Sequence, residues 1–341
     1  MSKIGMLGVG SFAMALAHLL GHKGEEILMW SHDPSIAESI NKTHKNNHFL
    51  TEMTLPTHVH STTSLDETIK DCAYLISVIP SQFIRPVIGE IASKIGDDVI
   101  IINGAKGIEN DTLKTISEIF EELFPKRLHS QLAYISGPSF AAELAQKQIT
   151  AVAVASHSEN TAQKVKDLLT TSYFKVLTTK DVIGIELCGS LKNIIAIAAG
   201  IVDGLNLGAN TQAALITGGL TEIRRIGIQK GANITTFHGL AGVGDLVLTC
   251  TGDLSRNRFV GRELAKGKKI SQILNNMEMV AEGVKTTLSA YQLAQKLGVK
   301  IPIITEIYKI IYEDKEPQKA VSDLMTLDFQ SDLSSNLLPN L

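Results

Sequence analysis

Short apolar runs of β type alternate with helical patterns through the first half of the chain, and helical patterns alone fill the second. The β-type runs lie at 3–8, 26–30, 73–79, 99–102 and 132–135, and those at 151–155 and 174–177 are expected to extend the same sheet. Loops of small residues follow several of them, as at Pro80-Ser81, Gly104-Ala105-Lys106-Gly107 and Gly137-Pro138-Ser139. This alternation predicts an α/β fold with a doubly wound parallel sheet and ligands at the C-terminal ends of its strands. After about Gly184 the period changes to that of helices, at 185–202, 211–230, 245–249, 258–266, 284–297 and 302–312. The expected organisation is an α/β domain over 1–184, an all-helical domain over 185–329 and a flexible tail over 330–341, with a cleft between the domains.

The first run leads into Gly8-Val9-Gly10-Ser11-Phe12-Ala13 and then into a helical pattern. Gly8 permits a tight turn, Gly10 lets the backbone approach a pyrophosphate, and Ala13 is small enough for close helix-to-strand packing. The helix N-terminus then faces the phosphate charge, so the first domain reads as a Rossmann-type site for NAD(P)H. The second run ends at Ser31-His32-Asp33, where the adenosine ribose should lie. An acid there would repel a 2′-phosphate, whereas Ser31 and His32 leave the space polar, so NADP(H) is expected to be tolerated alongside NAD(H). Asp33, which precedes Pro34, reads equally well as a helix cap.

From Val182 to Val202 the only charged side chains are Glu186 and Lys192. A lysine among isoleucines is either snorkelling to a surface or desolvated toward the neutral amine that acid–base chemistry uses. Lys106 is either a solvated loop lysine or an ammonium meeting a phosphate, and Gly137-Pro138-Ser139 is either an anion-binding turn or an ordinary cap. Gly239 to Asp245 is a glycine-rich approach to an acid, with Thr249 and Ser255-Arg256-Asn257-Arg258 beyond it. Arg256 and Asn257 could grip a phosphate monoester through a fork and an amide, while Arg258 has solvent-exposed charge as its plain alternative and is assigned no role.

Composition narrows the class. The chain has 341 residues, 44% hydrophobic and 20% charged, which is globular and large enough for two domains. A net charge of −3 carries no nucleic-acid signature. Cys72, Cys188 and Cys250 are odd in number and lack metal-ligand spacing, so neither structural disulfides nor a metal site is expected. No signal peptide is recognisable, and the uncharged run after Lys192 is too short to span a bilayer, so a cytoplasmic location is expected. Apolar faces on helical second domains often pair, which makes a homodimer an expectation.

Together, Gly8-Val9-Gly10-Ser11-Phe12-Ala13, Ile135 to Ala141, Leu191-Lys192-Asn193, Gly242-Val243-Gly244-Asp245-Leu246 and Ser255-Arg256-Asn257 resemble the soluble, bacterial NAD(P)-dependent glycerol-3-phosphate dehydrogenases, from residue 3 to about 327. The resemblance implies reversible reduction of dihydroxyacetone phosphate to sn-glycerol 3-phosphate, a supply of glycerophospholipid backbone. It implies Lys192 as general acid/base oriented by Asp245. It implies substrate contacts at Lys106, Gly137, Ser139, Lys192, Asn193, Asp245, Ser255, Arg256 and Asn257. Cofactor contacts are implied at Gly8, Gly10, Ser11, Phe12, His32, Lys106, Ala141, Arg256, Val280 and Glu282. Two departures stand out: Phe12 where the family often has Trp or Tyr, and Gly218 where relatives commonly carry an arginine. Gly218-Gly219 should loosen its helix by about 1 kcal/mol per glycine relative to alanine. A relative of the 3-hydroxyacid or 6-phosphogluconate dehydrogenases would share the plan but need a carboxylate pocket, and a non-catalytic dinucleotide sensor would not need Lys192 and Asp245.

Overall fold

The computed structural model describes residues 3–277 and 281–326; Val280 and the expected tail at 330–341 lie outside the described residues. The strands are β1 (Lys3–Leu7), β2 (Glu26–Trp30), β3 (Val59–Thr62), β4 (Tyr74–Ser77), β5 (Ile100–Asn103), β6 (Leu132–Ser136), β7 (Thr150–Ala155) and β8 (Phe174–Thr179). They form one sheet in the order β3-β2-β1-β4-β5-β6-β7-β8. The helices of this half are α1 (Ser11–His22), α2 (Pro34–Thr43), α3 (Leu65–Ile69), α4 (Ile84–Ile91), α5 (Ile116–Leu123), α6 (Ala141–Ala145) and α7 (Glu159–Leu169). The second half holds α8 (Val182–Gly204), α9 (Gly208–Gln229), α10 (Asp245–Thr251), α11 (Arg256–Ala265), α12 (Ile270–Asn275), α13 (Glu282–Leu297), α14 (Pro302–Tyr312) and α15 (Pro317–Met325).

The sheet is the expected doubly wound one, with β1 pairing in parallel with β2 and β4. It differs in one respect. β7 pairs antiparallel with β6, and β8 runs parallel to β7, so the last two strands reverse direction. The short α6 and the turn after it bring the chain back beside β6 without a full crossover. Sequence pattern does not find β3, because Val59-His60-Ser61-Thr62 offers one large apolar residue to a pairing made mostly by backbone.

α8 is the axis of the helical half. It is longer than the uncharged run in the sequence, and long and apolar enough to cross a bilayer, but 89% of its most apolar window is buried within the protein. α9, α10, α11 and α13 pack around it. The α8–α11 contact is backbone on backbone: a Cβ at Gly200 would stand 2.0 Å from the Arg258 carbonyl oxygen, and one at Gly261 would stand 2.0 Å from that of Ile197. Only glycine at both positions permits that approach. The Gly218-Gly219 pair leaves α9 unbroken, and Gly219 fits against Ile195, where a Cβ would come within 2.6 Å of Cγ2. Gly218 faces Ile303 of α14, 2.9 Å from the place of its missing Cβ.

α8 is also fastened to the sheet layer through Glu186. Its buried carboxylate accepts from Ser117 N at 2.9 Å and Ser117 Oγ at 2.5 Å, in the first turn of α5. Burial pushes this carboxyl up to about 7, against the opposing pull of the Ser117 and Thr115 hydrogen bonds, and Glu118 adds repulsion. Glu118 itself pairs with Lys230 beyond the end of α9. Because the folded state holds this proton more tightly than the unfolded chain, Glu186 weakens folding progressively as pH rises from about 4.5 to about 7. Glu186→Gln keeps an acceptor for Ser117 N and removes the charge. Thermal denaturation should therefore show the variant several degrees more stable than the parent at pH 8 and level with it at pH 5. Equal behaviour at both pH values would sink this account of Glu186.

Candidate active site

The C-terminal edge of the parallel strands and the buried face of α8 meet at one place. At the first strand end, Gly8 has φ +110°, and a Cβ there would stand 3.1 Å from the Val78 carbonyl oxygen, so the turn requires glycine. Gly10 is the N-cap of α1, with nothing within 4 Å of its Cβ position, and Ser11 begins the helix. An open backbone before the amides of a helix N-terminus fits a dinucleotide pyrophosphate. Phe12 lies against the next strand loop, its ring 3.1 Å from the Cβ position of Gly104. His32 is exposed just past β2, and Asp33 caps α2, its Oδ1 accepting from Ser35 N at 2.8 Å.

Beyond β5 and β6 lies a cluster of three charges. Lys106 Nζ donates to Asp245 Oδ2 at 2.7 Å, and Lys192 Nζ donates to Asp245 Oδ1 at 2.5 Å and to Thr249 Oγ1 at 2.7 Å. Asp245 and the Lys192 side chain are 1% and 8% exposed, while that of Lys106 is 21% exposed. Two ammoniums share one carboxylate, which leaves a positive charge in excess. Lys192 is therefore buried and paired, and the snorkelling alternative fails. Burial lowers its pKa to about 8; Asp245 opposes that shift and Lys106 adds to it. The two ammoniums hold the Asp245 carboxyl below its ordinary range in spite of burial. The buried thiol of Cys250, on the same helix as Asp245, is pushed up to about 12 and stays neutral.

Gly137 and Ser139 join this cluster from β6: the Gly137 carbonyl lies 3.5 Å from Lys106 Nζ and accepts from Ser139 Oγ at 3.1 Å. Ala141 opens α6 immediately after. A second group lies along α8 and against the Gly107 turn, where the place of the missing Cβ is 3.4 Å from Glu282 Oε2. Asn257 Oδ1 accepts from Gly283 N at 3.0 Å, and the Cβ position of Gly283 is 2.7 Å from the Asn193 carbonyl oxygen. Glu282, next to Gly283, accepts from Ser81 Oγ at 2.8 Å and interacts electrostatically with Arg256, whose side chain reaches solvent. Burial raises the Glu282 carboxyl, and the crowding of protein around Arg256 lowers its guanidinium, which stays cationic. Ser255 caps α11, accepting from Arg258 N at 3.3 Å. Arg258 is not solvent-exposed charge: its side chain is 12% exposed and donates to Asp203 and to Asp253.

Sequence reading gave no role to Thr249 or to Ser81. Thr249 stands four residues after Asp245, on the same face of one predicted helix, and that spacing was the available signal. Ser81 carried none, because its partner lies 201 residues away.

A Rossmann sheet whose strand ends meet a buried lysine–aspartate–lysine cluster under a helical layer defines a dinucleotide-dependent oxidoreductase of two-domain plan. The family models for the NAD-dependent glycerol-3-phosphate dehydrogenase N-terminus and C-terminus match residues 3–162 and 181–322. The chain belongs to that family. It is 47% identical over 330 residues to the glycerol-3-phosphate dehydrogenase [NAD(P)+] of Geobacter sp. (strain M21), covering 97% of this chain and 98% of the relative. It is 47% identical over 328 residues to that of Leptospira biflexa, covering 96% and 98%. The crystal structure of glycerol-3-phosphate dehydrogenase from Coxiella burnetii superposes with a TM-score of 0.91 at 35% identity, over 96% of this chain and 99% of that one. D-mandelate dehydrogenase with NADH and anilino(oxo)acetate, at 13% identity and a TM-score of 0.62, shares the fold alone.

The coupling within the charge cluster is open to direct measurement. Asp245→Asn removes the anion that favours the Lys192 ammonium and leaves the repulsion from Lys106. The Lys192 amine, followed by nitrogen-15 NMR of lysine-labelled protein, should then titrate about one unit or more below its parent midpoint near 8. An unmoved midpoint would mean that Asp245 does not set the charge state of Lys192.

Proposed function

We propose that the chain is a glycerol-3-phosphate dehydrogenase that interconverts dihydroxyacetone phosphate and sn-glycerol 3-phosphate with NAD(P)H, using Lys192 as the general acid/base. The observation that carries the reading is the buried Lys192 ammonium, held by Asp245 and Thr249 where the strand ends meet the helical layer. The residues at the first strand end fit the dinucleotide: Gly8, Gly10 and Ser11 for the pyrophosphate, Phe12 against its ring systems, His32 at the ribose. Ala141, Arg256, Glu282 and, outside the described residues, Val280 complete that proposed set. When bound, the dinucleotide supplies or accepts the hydride at the substrate carbon.

The rest is chemistry of the chain itself. In the reductive direction negative charge builds on the carbonyl oxygen, and the Lys192 ammonium stabilises it and donates its proton there. Asp245 keeps Lys192 charged and aimed, and in the oxidative direction Lys192, as the amine, takes the proton from the alcohol. A pKa near 8 makes both forms accessible close to neutrality. The excess positive charge of the cluster and the Arg256 guanidinium suit a phosphate dianion, with Lys106, Gly137, Ser139, Asn193, Ser255 and Asn257 as its proposed neighbours. Bound at a distance from the reacting carbon, the phosphate orients the carbonyl. We further propose domains over 1–184 and 185–329, a homodimer, a cytoplasmic location and a product used for glycerophospholipid backbone.

The decisive assay is nicotinamide oxidation by the purified protein with dihydroxyacetone phosphate and each cofactor. Lys192→Met should lose about 10²-fold or more in kcat while still binding the dinucleotide, since the glycine loop is untouched. Retention of more than about a tenth of parental kcat would remove Lys192 from the chemistry.

His32→Asp should weaken NADPH more than NADH, because a carboxylate repels the 2′-phosphate and can accept a ribose hydroxyl. An unchanged ratio of the two dissociation constants would place His32 away from the ribose.

A further inference from the structure

Lys106 reaches Asp245 from a loop, and loops hold a charge in place only if something holds the loop. Two consecutive residues of α8 do so. At Gly189 the place of the missing Cβ is 3.4 Å from Lys106 Cδ and 3.5 Å from Cγ, so the lysine stem lies across bare helix backbone. At Ser190, 2% exposed, the hydroxyl oxygen accepts the buried Gly107 N–H at 2.8 Å. On its other side the loop is walled by Ser81, whose Oγ is 2.3 Å from the Cβ position of Gly107, itself at φ +157°. A buried amide without a partner is costly, so the loop settles where Ser190 can receive it.

We propose that Ser190 is a positioning residue: by accepting Gly107 N–H it seats the Lys106 loop on α8 and sets how closely Lys106 approaches the carboxylate that Lys192 shares. This rests on the reaction proposed above. Ser190 touches neither ammonium; it acts through Lys106. The groups facing Lys192 are Asp245, Thr249 and the neutral Cys250 thiol on α10 and Lys106 from the loop, while Arg256 and Glu282 interact with each other. Lys106 is thus the movable cation in that set. Its withdrawal removes repulsion from Lys192 and leaves Asp245 to it alone.

The test is Ser190→Ala in the full chain, where the better helix propensity of alanine offsets part of the cost of the Gly107 amide it leaves unpaired. Amide hydrogen exchange at Gly107 should quicken by about tenfold or more, with no cofactor or substrate present. The Lys192 amine should titrate about half a pH unit or more higher, by NMR, and kcat with dihydroxyacetone phosphate should fall at least about fivefold. In a Lys106→Met background Ser190→Ala should add no further shift to Lys192. Unchanged exchange at Gly107, an unmoved Lys192 midpoint, or an equal shift in the Lys106→Met background would each overturn the positioning role. A parent protein inactive on dihydroxyacetone phosphate would instead overturn the reaction, and the exchange and titration readouts would still decide the role of Ser190.

Discussion

The structure depends on one buried carboxylate shared by two ammoniums. Asp245 is almost wholly removed from water, and a lone carboxylate there would be strongly disfavoured. Its two oxygens are answered from different halves of the molecule, Oδ2 by Lys106 beyond β5 and Oδ1 by Lys192 of α8. A buried ion cluster of this kind is weak evidence for stability, because desolvation offsets much of the attraction. It is strong evidence for geometry. The cluster is complete only when the sheet layer and the helical layer are docked, so the charge state of Lys192 is a property of the joint.

The helical packing exists to bury that lysine without crowding it. α8 can be enclosed on all sides because its contact with α11 runs through glycine backbone at Gly200 and Gly261, and its contact with α9 passes through Gly219. Enclosure supplies the desolvation that brings Lys192 down to about 8, and the carboxylate prevents a larger fall. Each effect alone would misplace the proton: burial without Asp245 favours the bare amine, and Asp245 at a wet surface would leave the ammonium at its ordinary value.

Much of this was legible in the sequence, for reasons particular to each element. The strands β1, β2, β4, β5 and β6 are short apolar runs with small-residue loops behind them, and the long apolar run of α8 marks it as a helix. Lys192 and Asp245 stood out because each is charged in a segment otherwise apolar or glycine-rich. What stayed hidden is what the third dimension supplies. The reversal of β7 and β8 depends on a turn after α6, and no periodicity records strand direction. Ser190, Glu186 and Ser81 are ordinary residue types whose partners lie 83, 69 and 201 positions away. Arg258 has no assignable role in the sequence for the same reason, since Asp203 is distant in sequence and adjacent in space.

The same geometry bears on why a phosphorylated triose suits this site better than a hydroxyacid. A hydroxyacid brings its carboxylate close to the reacting carbon, where that anion would compete with the developing oxyanion for the Lys192 ammonium. Here Lys192 is held by Asp245 and Thr249, and Arg256 interacts with Glu282 at a solvent-exposed position. Binding energy from the remote phosphate can orient the carbonyl, while Asp245 holds the Lys192 ammonium for the proton transfer.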